Sequence, residues 1–132
     1  METARSAVGP KHAGRLLVID DEPEVRLLLE DYLLSLGYEV RTAKDGSEGL
    51  HLIKTTCPDG VILDYQLPGL LGFDVLRIAR AHGYARPIII LSGRLSREEV
   101  KEAIHLGAAA VLTKPFQIDD LDRVLMEVIG PA

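Results

Sequence analysis

The sequence contains one cysteine, Cys57, no tryptophan and only 5% aromatic residues. A single cysteine excludes an internal disulfide and favours a reducing compartment, the cytoplasm. Nothing around Cys57 argues for an activated thiol, so it reads as a helix-end or loop residue rather than a nucleophile. No apolar run approaches the ~18 residues a membrane helix needs. The first residues, Met1 to Gly14, lack the apolar core of a secretory signal. A basic excess is missing too. The 15 Lys and Arg face 20 Asp and Glu, for a net charge of −5, which argues against a nucleic-acid-binding surface on this domain. The histidines His12, His51, His82 and His105 show no metal-ligand spacing with one another, and His105, late in a helical stretch, complements the helix dipole. There is no internal repeat, and no glycine-rich phosphate loop follows the first apolar run.

What is present suits one soluble domain with one core: 132 residues, 47% hydrophobic and 27% charged. Residues 1–14 are small and polar with Gly and Pro, and read as a flexible N-terminal tail. The domain is expected over 15–130. Apolar runs at 15–19, 60–64, 87–91 and 108–112 and a shorter alternating segment at 38–42 predict strands, and helical patterns alternate with them. The first helix opens at Pro23, carries Val25, Leu28, Leu29, Tyr32, Leu33 and Leu36 inward, and closes at Gly37. A second, weakened by Gly46 and Gly49, spans about 47–55 with Leu50 and Ile53 inward. The third covers 72–81, with Phe73, Leu76 and Ala79 facing the core. The fourth begins with a capping box, Ser96 and Glu99, and has a thin stripe of Val100, Ala103 and Ile104 before Gly107. So thin a stripe predicts a mobile helix. The fifth runs from 118 to 129 on Leu121, Val124, Leu125 and Val128. Strands apolar on both faces predict a parallel sheet covered by helices, an α/β fold.

The chemistry gathers at strand ends. The run from Gly60 to Leu63 stops abruptly in Asp64, and a turn at Pro68-Gly69 follows. Such a position lies on the sheet edge where α/β ligands bind. Asp20, Asp21 and Glu22 follow the first strand. One carboxylate would suffice to cap the helix. Two unit charges ~4 Å apart cost ~4 kcal/mol at an effective dielectric near 20, a cost that a bound cation would offset. Oxygen ligands point to Mg²⁺, Mn²⁺ or Ca²⁺. Ser92 ends the fourth strand and Lys114 follows the fifth. Alone, each is a turn serine or a solvated lysine. Together the four positions supply a nucleophile, a metal site, a cation and a hydroxyl donor, the working set for phosphoryl transfer.

Four segments now stand in order: Leu17-Val18-Ile19-Asp20-Asp21-Glu22-Pro23, Val61-Ile62-Leu63-Asp64-Tyr65-Gln66-Leu67-Pro68-Gly69, Ile88-Ile89-Ile90-Leu91-Ser92-Gly93 and Leu112-Thr113-Lys114-Pro115-Phe116. With them the sequence resembles the receiver domain of two-component response regulators, the CheY-like family, from Arg15 to about Ile129. The resemblance implies a flavodoxin-like (βα)5 three-layer sandwich with strand order 2-1-3-4-5. It implies that Asp64 accepts a phosphoryl group from a phosphohistidine. Mg²⁺, or Mn²⁺ in its place, would be held by Asp21, Asp64 and the Gln66 backbone carbonyl, and by Asp20 mainly through water. Lys114 would pair with Asp64 and then with the phosphoryl oxygens, Ser92 would donate its hydroxyl, and the Lys114–Pro115 bond would be cis. Implied partners are a sensor histidine kinase or histidine phosphotransfer protein and a downstream protein target, with no nucleic acid or membrane bound by this domain. The domain would be a monomer or a phosphorylation-linked dimer, and would catalyse only its own phosphorylation and dephosphorylation.

Three positions depart from or vary within the family. Val111 stands where many receivers carry an aromatic side chain that rotates inward, which shifts the expected output to the fourth helix or the loop before it. Gln66 and Arg94 occupy variable positions that influence phosphoryl lifetime. Alternative readings are a receiver segment of a longer regulator or hybrid kinase, a Mg²⁺-dependent phosphatase with an aspartyl nucleophile, and a flavodoxin-like cofactor binder or a receiver that no longer accepts phosphate. Gln66, where such a phosphatase carries its second aspartate, weighs against the phosphatase. The acidic first loop and the complete residue set weigh against the last two.

Overall fold

A computed structural model of the chain describes residues 14–130. Strands β1 (Arg15–Ile19), β2 (Glu39–Ala43), β3 (Gly60–Asp64), β4 (Ile88–Ser92) and β5 (Ala110–Thr113) alternate with helices α1 (Pro23–Ser35), α2 (Gly46–Thr56), α3 (Gly72–Ala81), α4 (Arg97–His105) and α5 (Ile118–Val128). Every pairing is parallel, and the order is β2-β1-β3-β4-β5. The expected order 2-1-3-4-5 is therefore the observed one. The strand order changes direction at β1 and β3, where β2 is added on one side and β4 and β5 on the other, which opens a crevice at the carboxyl ends of these two strands.

The layers follow from the two-residue period of a strand. Leu17, Ile19, Val61, Leu63, Ile88 and Ile90 face one side, where they meet Ile53, Val75, Leu76, Ala79 and Ala103 from α2, α3 and α4. Leu16, Val18, Ile62, Ile89 and Leu91 face the other, against Leu29 and Leu33 of α1 and Leu121, Val124 and Leu125 of α5. Each such side chain contributes about 1.5–3 kcal/mol when fully buried. Burial on both faces is the reason β3 and β4 show no polar alternation, whereas the edge strand β2 alternates exposed Glu39 and Arg41 with half-buried Val40 and Thr42.

The elements begin and end for local reasons. Asp45 caps α2 by accepting the Glu48 N–H at 2.8 Å. Ser96 and Glu99 form the expected capping box on α4. Cys57 is exposed and ends α2 in the left-handed region, φ 46°, as the helix-end reading anticipated. Gly37 (φ 99°) and Gly107 (φ 106°) turn the chain out of α1 and α4. The residues after them bond back onto the helices: Tyr38 N–H to the Leu33 carbonyl and Ala108 N–H to that of Ala103. That is why β2 starts at Glu39 and β5 at Ala110, one and two residues later than the apolar runs suggested. Ser92, expected just past β4, is its last residue and pairs with Thr113.

Two inward assignments are corrected. Leu28 is 52% exposed and Ile104 is 50% exposed. Each lies one residue, about 100° of rotation, from the buried Leu29 or Ala103, and the buried stripe is too narrow to take both. Gly49, which weakens α2 by propensity, is needed there: a methyl group on it would stand 2.5 Å from Ile19 Cδ1. The tail assigned to residues 1–14 lies outside the described residues except for Gly14, whose carbonyl accepts the Glu39 N–H at 2.9 Å. Among the described residues no helix is long and apolar enough to cross a membrane.

Candidate functional site

Tyr38 aside, three polar or charged side chains are buried among the described residues: Asp20 at 0% exposure, Ser92 at 3% and Asp64 at 5%. All three lie at or just past a strand end on one rim of the sheet. The register places them there. Ile19 pairs with Leu63, Asp64 with Leu91 and Ser92 with Thr113. Lys114 follows β5, and its N–H bonds to the Ser92 carbonyl at 2.7 Å. The Lys114–Pro115 peptide is cis.

The carboxylates of Asp20, Asp21 and Asp64 each offer an oxygen, and these lie within 4.8 Å of one another. Among the described residues no other group of three or more His, Cys, Asp or Glu side chains converges in this way. The acidic loop is not spent on capping. Glu22 occupies the N-cap position of α1 without a side-chain cap bond, and Asp20 Oδ1 accepts the Glu22 N–H at 2.9 Å. An all-oxygen set with a pair of buried carboxylates fits a hard divalent cation better than the nitrogen- and sulfur-rich sites of zinc.

Lys114 supplies the opposing charge. Its Nζ stands 3.0 Å from Asp20 Oδ2, 3.0 Å from Glu22 Oε1 and 3.3 Å from Asp64 Oδ2. Burial works against its charge, but the bonds from Glu22 and Asp20 and the fields of Asp20 and Asp64 outweigh it and hold the ammonium above its ordinary pKa. Asp64 also rises, which for a carboxylate disfavours the charged form. Burial first, and the Asp20 charge second, push it up to about 6, against the opposing pull of Lys114 and of the Gln66 N–H, which donates to Asp64 Oδ1 at 3.3 Å. The rim therefore holds more negative charge than its one lysine balances. A second cation is the simplest remedy.

The sequence-based site residues thus come together: Asp20, Asp21, Asp64, Ser92, Lys114 and the backbone of Gln66 share the rim. Ser92 Oγ accepts the Arg94 N–H at 3.2 Å, and the Arg94 side chain is exposed. Three neighbours of the rim escaped sequence reasoning. Glu22 was counted with the acidic cluster but not as the partner of Lys114. Arg26 donates from Nη1 to the Asp20 carbonyl at 2.7 Å, and its place six residues along, on the same face of α1 as the loop, is the signal that could have found it. Tyr65 donates its hydroxyl to Glu99 Oε2 at 3.2 Å, a contact between residues 34 apart that no local pattern reveals. A cavity of about 800 Å³, walled by Leu50, Ile53, Lys54, Cys57 and Tyr84 among others, lies between α2 and α3 toward the opposite end of the sheet and contains none of the rim residues.

The family model described as the response regulator receiver domain matches residues 16–126. Response regulator MprA of Mycolicibacterium vanbaalenii is 41% identical over 107 residues, covering 81% of this chain and 46% of that protein. Regulatory protein AtoC of Escherichia coli is 31% identical over 116 residues, 88% of this chain and 25% of that protein. The chain thus spans between a quarter and a half of the length of these relatives. Among solved structures, chemotaxis protein CheY4 of Vibrio cholerae superposes with a TM-score of 0.84 at 32% identity, over 89% of this chain and 99% of that one. The receiver domain of the Francisella response regulator 1452 gives 0.81 at 34%, over 89% and 96%. On the family match across nearly all described residues, and on the sheet order and rim that carry it, the chain belongs to the response regulator receiver domains of two-component signalling.

Proposed function

We propose that this receiver domain takes a phosphoryl group from a partner's phosphohistidine onto Asp64 and relays the change to a protein target. The observation that carries the reading is the Lys114 ammonium 3.3 Å from a buried Asp64 carboxylate, within a rim where two further aspartates converge. An Asp64 carboxylate oxygen attacks phosphorus, an O–P bond forms, the P–N bond breaks, and the imidazole leaves. Lys114 lowers the charge that the incoming phosphoryl oxygens meet, and afterwards pairs with them. Ser92, one strand over, offers its hydroxyl to the same oxygens. Asp20, Asp21, Asp64 and the Gln66 carbonyl are the groups that would hold Mg²⁺, which when bound neutralises charge on the nucleophile and the transferred group. The product adds about −1.5 to −2 charge at pH 7, enough to reorganise the loop after Ser92.

The domain would act on its own aspartate only, in the cytoplasm, with a sensor histidine kinase or phosphotransfer protein as donor. Incubation with Mg²⁺ and acetyl phosphate, followed by intact-mass measurement, tests this. One added phosphoryl is expected, lost in Asp64→Asn and when EDTA removes the metal. No mass gain, or a gain that persists in Asp64→Asn, overturns the assignment.

A further inference from the structure

We propose that Tyr65 is a positioning residue. Through Glu99 it holds the loop that carries Ser92 and Arg94, and so reports the state of Asp64 to the start of α4. The inference rests on the acceptor reading of Asp64.

Tyr65 is the residue after Asp64, and its backbone is clamped on both sides. Its N–H donates to the Leu91 carbonyl at 2.8 Å, and its carbonyl accepts the Gly72 N–H at 2.8 Å. Its ring packs edge-on against Phe73, with centroids 4.8 Å apart at 68°. A residue fixed at the backbone and at the ring has one direction left for its hydroxyl, and that hydroxyl meets Glu99 Oε2. Glu99 has a second task. Its Oε1 accepts the Ser96 N–H at 2.9 Å, and its own N–H bonds to Ser96 Oγ at 3.1 Å. One carboxylate therefore ties the cap of α4 to the strand end that bears the acceptor.

The segment between is short. Residues 93–95 join Ser92, the last residue of β4, to Ser96, the cap of α4. Its near end is fixed by the pairing of Leu91 with Asp64, and its far end by the Tyr65–Glu99 bond. The loop is thus anchored at one end to Asp64, the last residue of β3, and at the other to Tyr65 just after it. Any movement that draws Ser92 toward new oxygens on Asp64 must be taken up by that bond or passed to α4. The helix has little else to hold it, since Ala103 is its one buried residue. Val111, on β5, has no polar group with which to report instead.

The test compares amide hydrogen exchange in residues 97–105 before and after adding Mg²⁺ and trifluoroberyllate, a stand-in for the phosphoryl group whose binding ¹⁹F NMR reads separately. The wild-type helix is expected to change its exchange rates when the probe binds. Tyr65→Phe keeps the ring and its packing on Phe73 but loses the hydroxyl. It is expected to bind the probe as the wild type does while the response of α4 falls at least threefold. Glu99→Ala, which also loses the bond to the Ser96 N–H, should lose at least as much of the response, and the double variant should be no worse than Glu99→Ala alone. Probe binding by Tyr65→Phe with an undiminished α4 response overturns this proposal alone, as does additive loss in the double variant. Absence of probe binding by the wild type overturns the acceptor reading, and the proposal with it.

Discussion

At the amino end of β1, Arg15 donates its backbone N–H to Asp59 at 2.8 Å and its guanidinium to Glu39 at 3.1 Å and to the Thr56 carbonyl at 3.2 Å. At the carboxyl end of the same sheet, one lysine faces Asp20, Glu22 and Asp64. The first set is open to water, which screens it and limits each ion pair to about 0–1 kcal/mol. In the second, Glu22 stays exposed but Asp20, Asp64 and Lys114 are mostly withdrawn from water, and the repulsion between Asp20 and Asp64 is screened far less. The same residue types, carboxylates and cations, close the sheet at one end and leave it charged and poised at the other. The difference is burial and stoichiometry rather than chemistry.

The contrast can be broken most sharply at Gly72. A methyl group there would stand 2.5 Å from the Asp64 carbonyl oxygen and 2.7 Å from Tyr65 Cα. Backbone cannot yield as a side chain would, so Gly72→Ala should destabilise the domain by about 2–3 kcal/mol and slow phosphoryl uptake as the Asp64 strand end shifts. Chemical denaturation and acetyl phosphate kinetics on one sample check both parts, and unchanged uptake would show that the rim tolerates the displacement.

A smaller effect concerns Asp64 itself and runs against the usual direction for a charge-removing change. Its folded-state pKa of about 6 lies above the ordinary 3.8. Between those values the folded protein keeps a proton that the unfolded chain has released, so the contribution of Asp64 to stability is fully present below about 4 and is lost as pH rises through 6. Above 6 the buried charge opposes folding. Asp64→Asn removes that charge, and in metal-free protein at about pH 8 it should raise stability by about 1–2 kcal/mol. The advantage should vanish below about pH 4, where the carboxyl is protonated in both states. Urea titrations in EDTA across this range decide it, and equal midpoints for the two proteins at pH 8 would mean the site is not strained by its charge.

The smallest effect belongs to the other end of the sheet. Arg15→Ala removes an exposed network and should cost no more than about 1 kcal/mol, leaving the rate of phosphoryl uptake unchanged. A loss of uptake in this variant would show that the two ends are coupled.

Much of the fold was legible because the strands are apolar on both faces and the helices are punctuated by Gly37, Gly83 and Gly107. Asp64 and the Asp20-Asp21 pair stood out because charge interrupts an apolar run abruptly, and the joint motif supplied the strand order. Strand starts were misjudged where Tyr38 and Ala108, apolar and seemingly part of a strand, bond back to the preceding helix. Leu28 and Ile104 were misread because a hydrophobic residue beside a buried stripe looks the same in sequence as one within it.

By itself the sequence determined which residues carry charge, where the apolar runs end, and that those ends alternate with helices. Periodicity and chain stiffness act over a few neighbours, and a few neighbours are enough to record them. Only the tertiary structure decided that Lys114 shares itself among Asp20, Glu22 and Asp64, that the Tyr65 hydroxyl reaches Glu99, and that α4 keeps a single buried residue. Those facts depend on distances between side chains far apart along the chain, which the packing of helices on the sheet sets and no local pattern encodes.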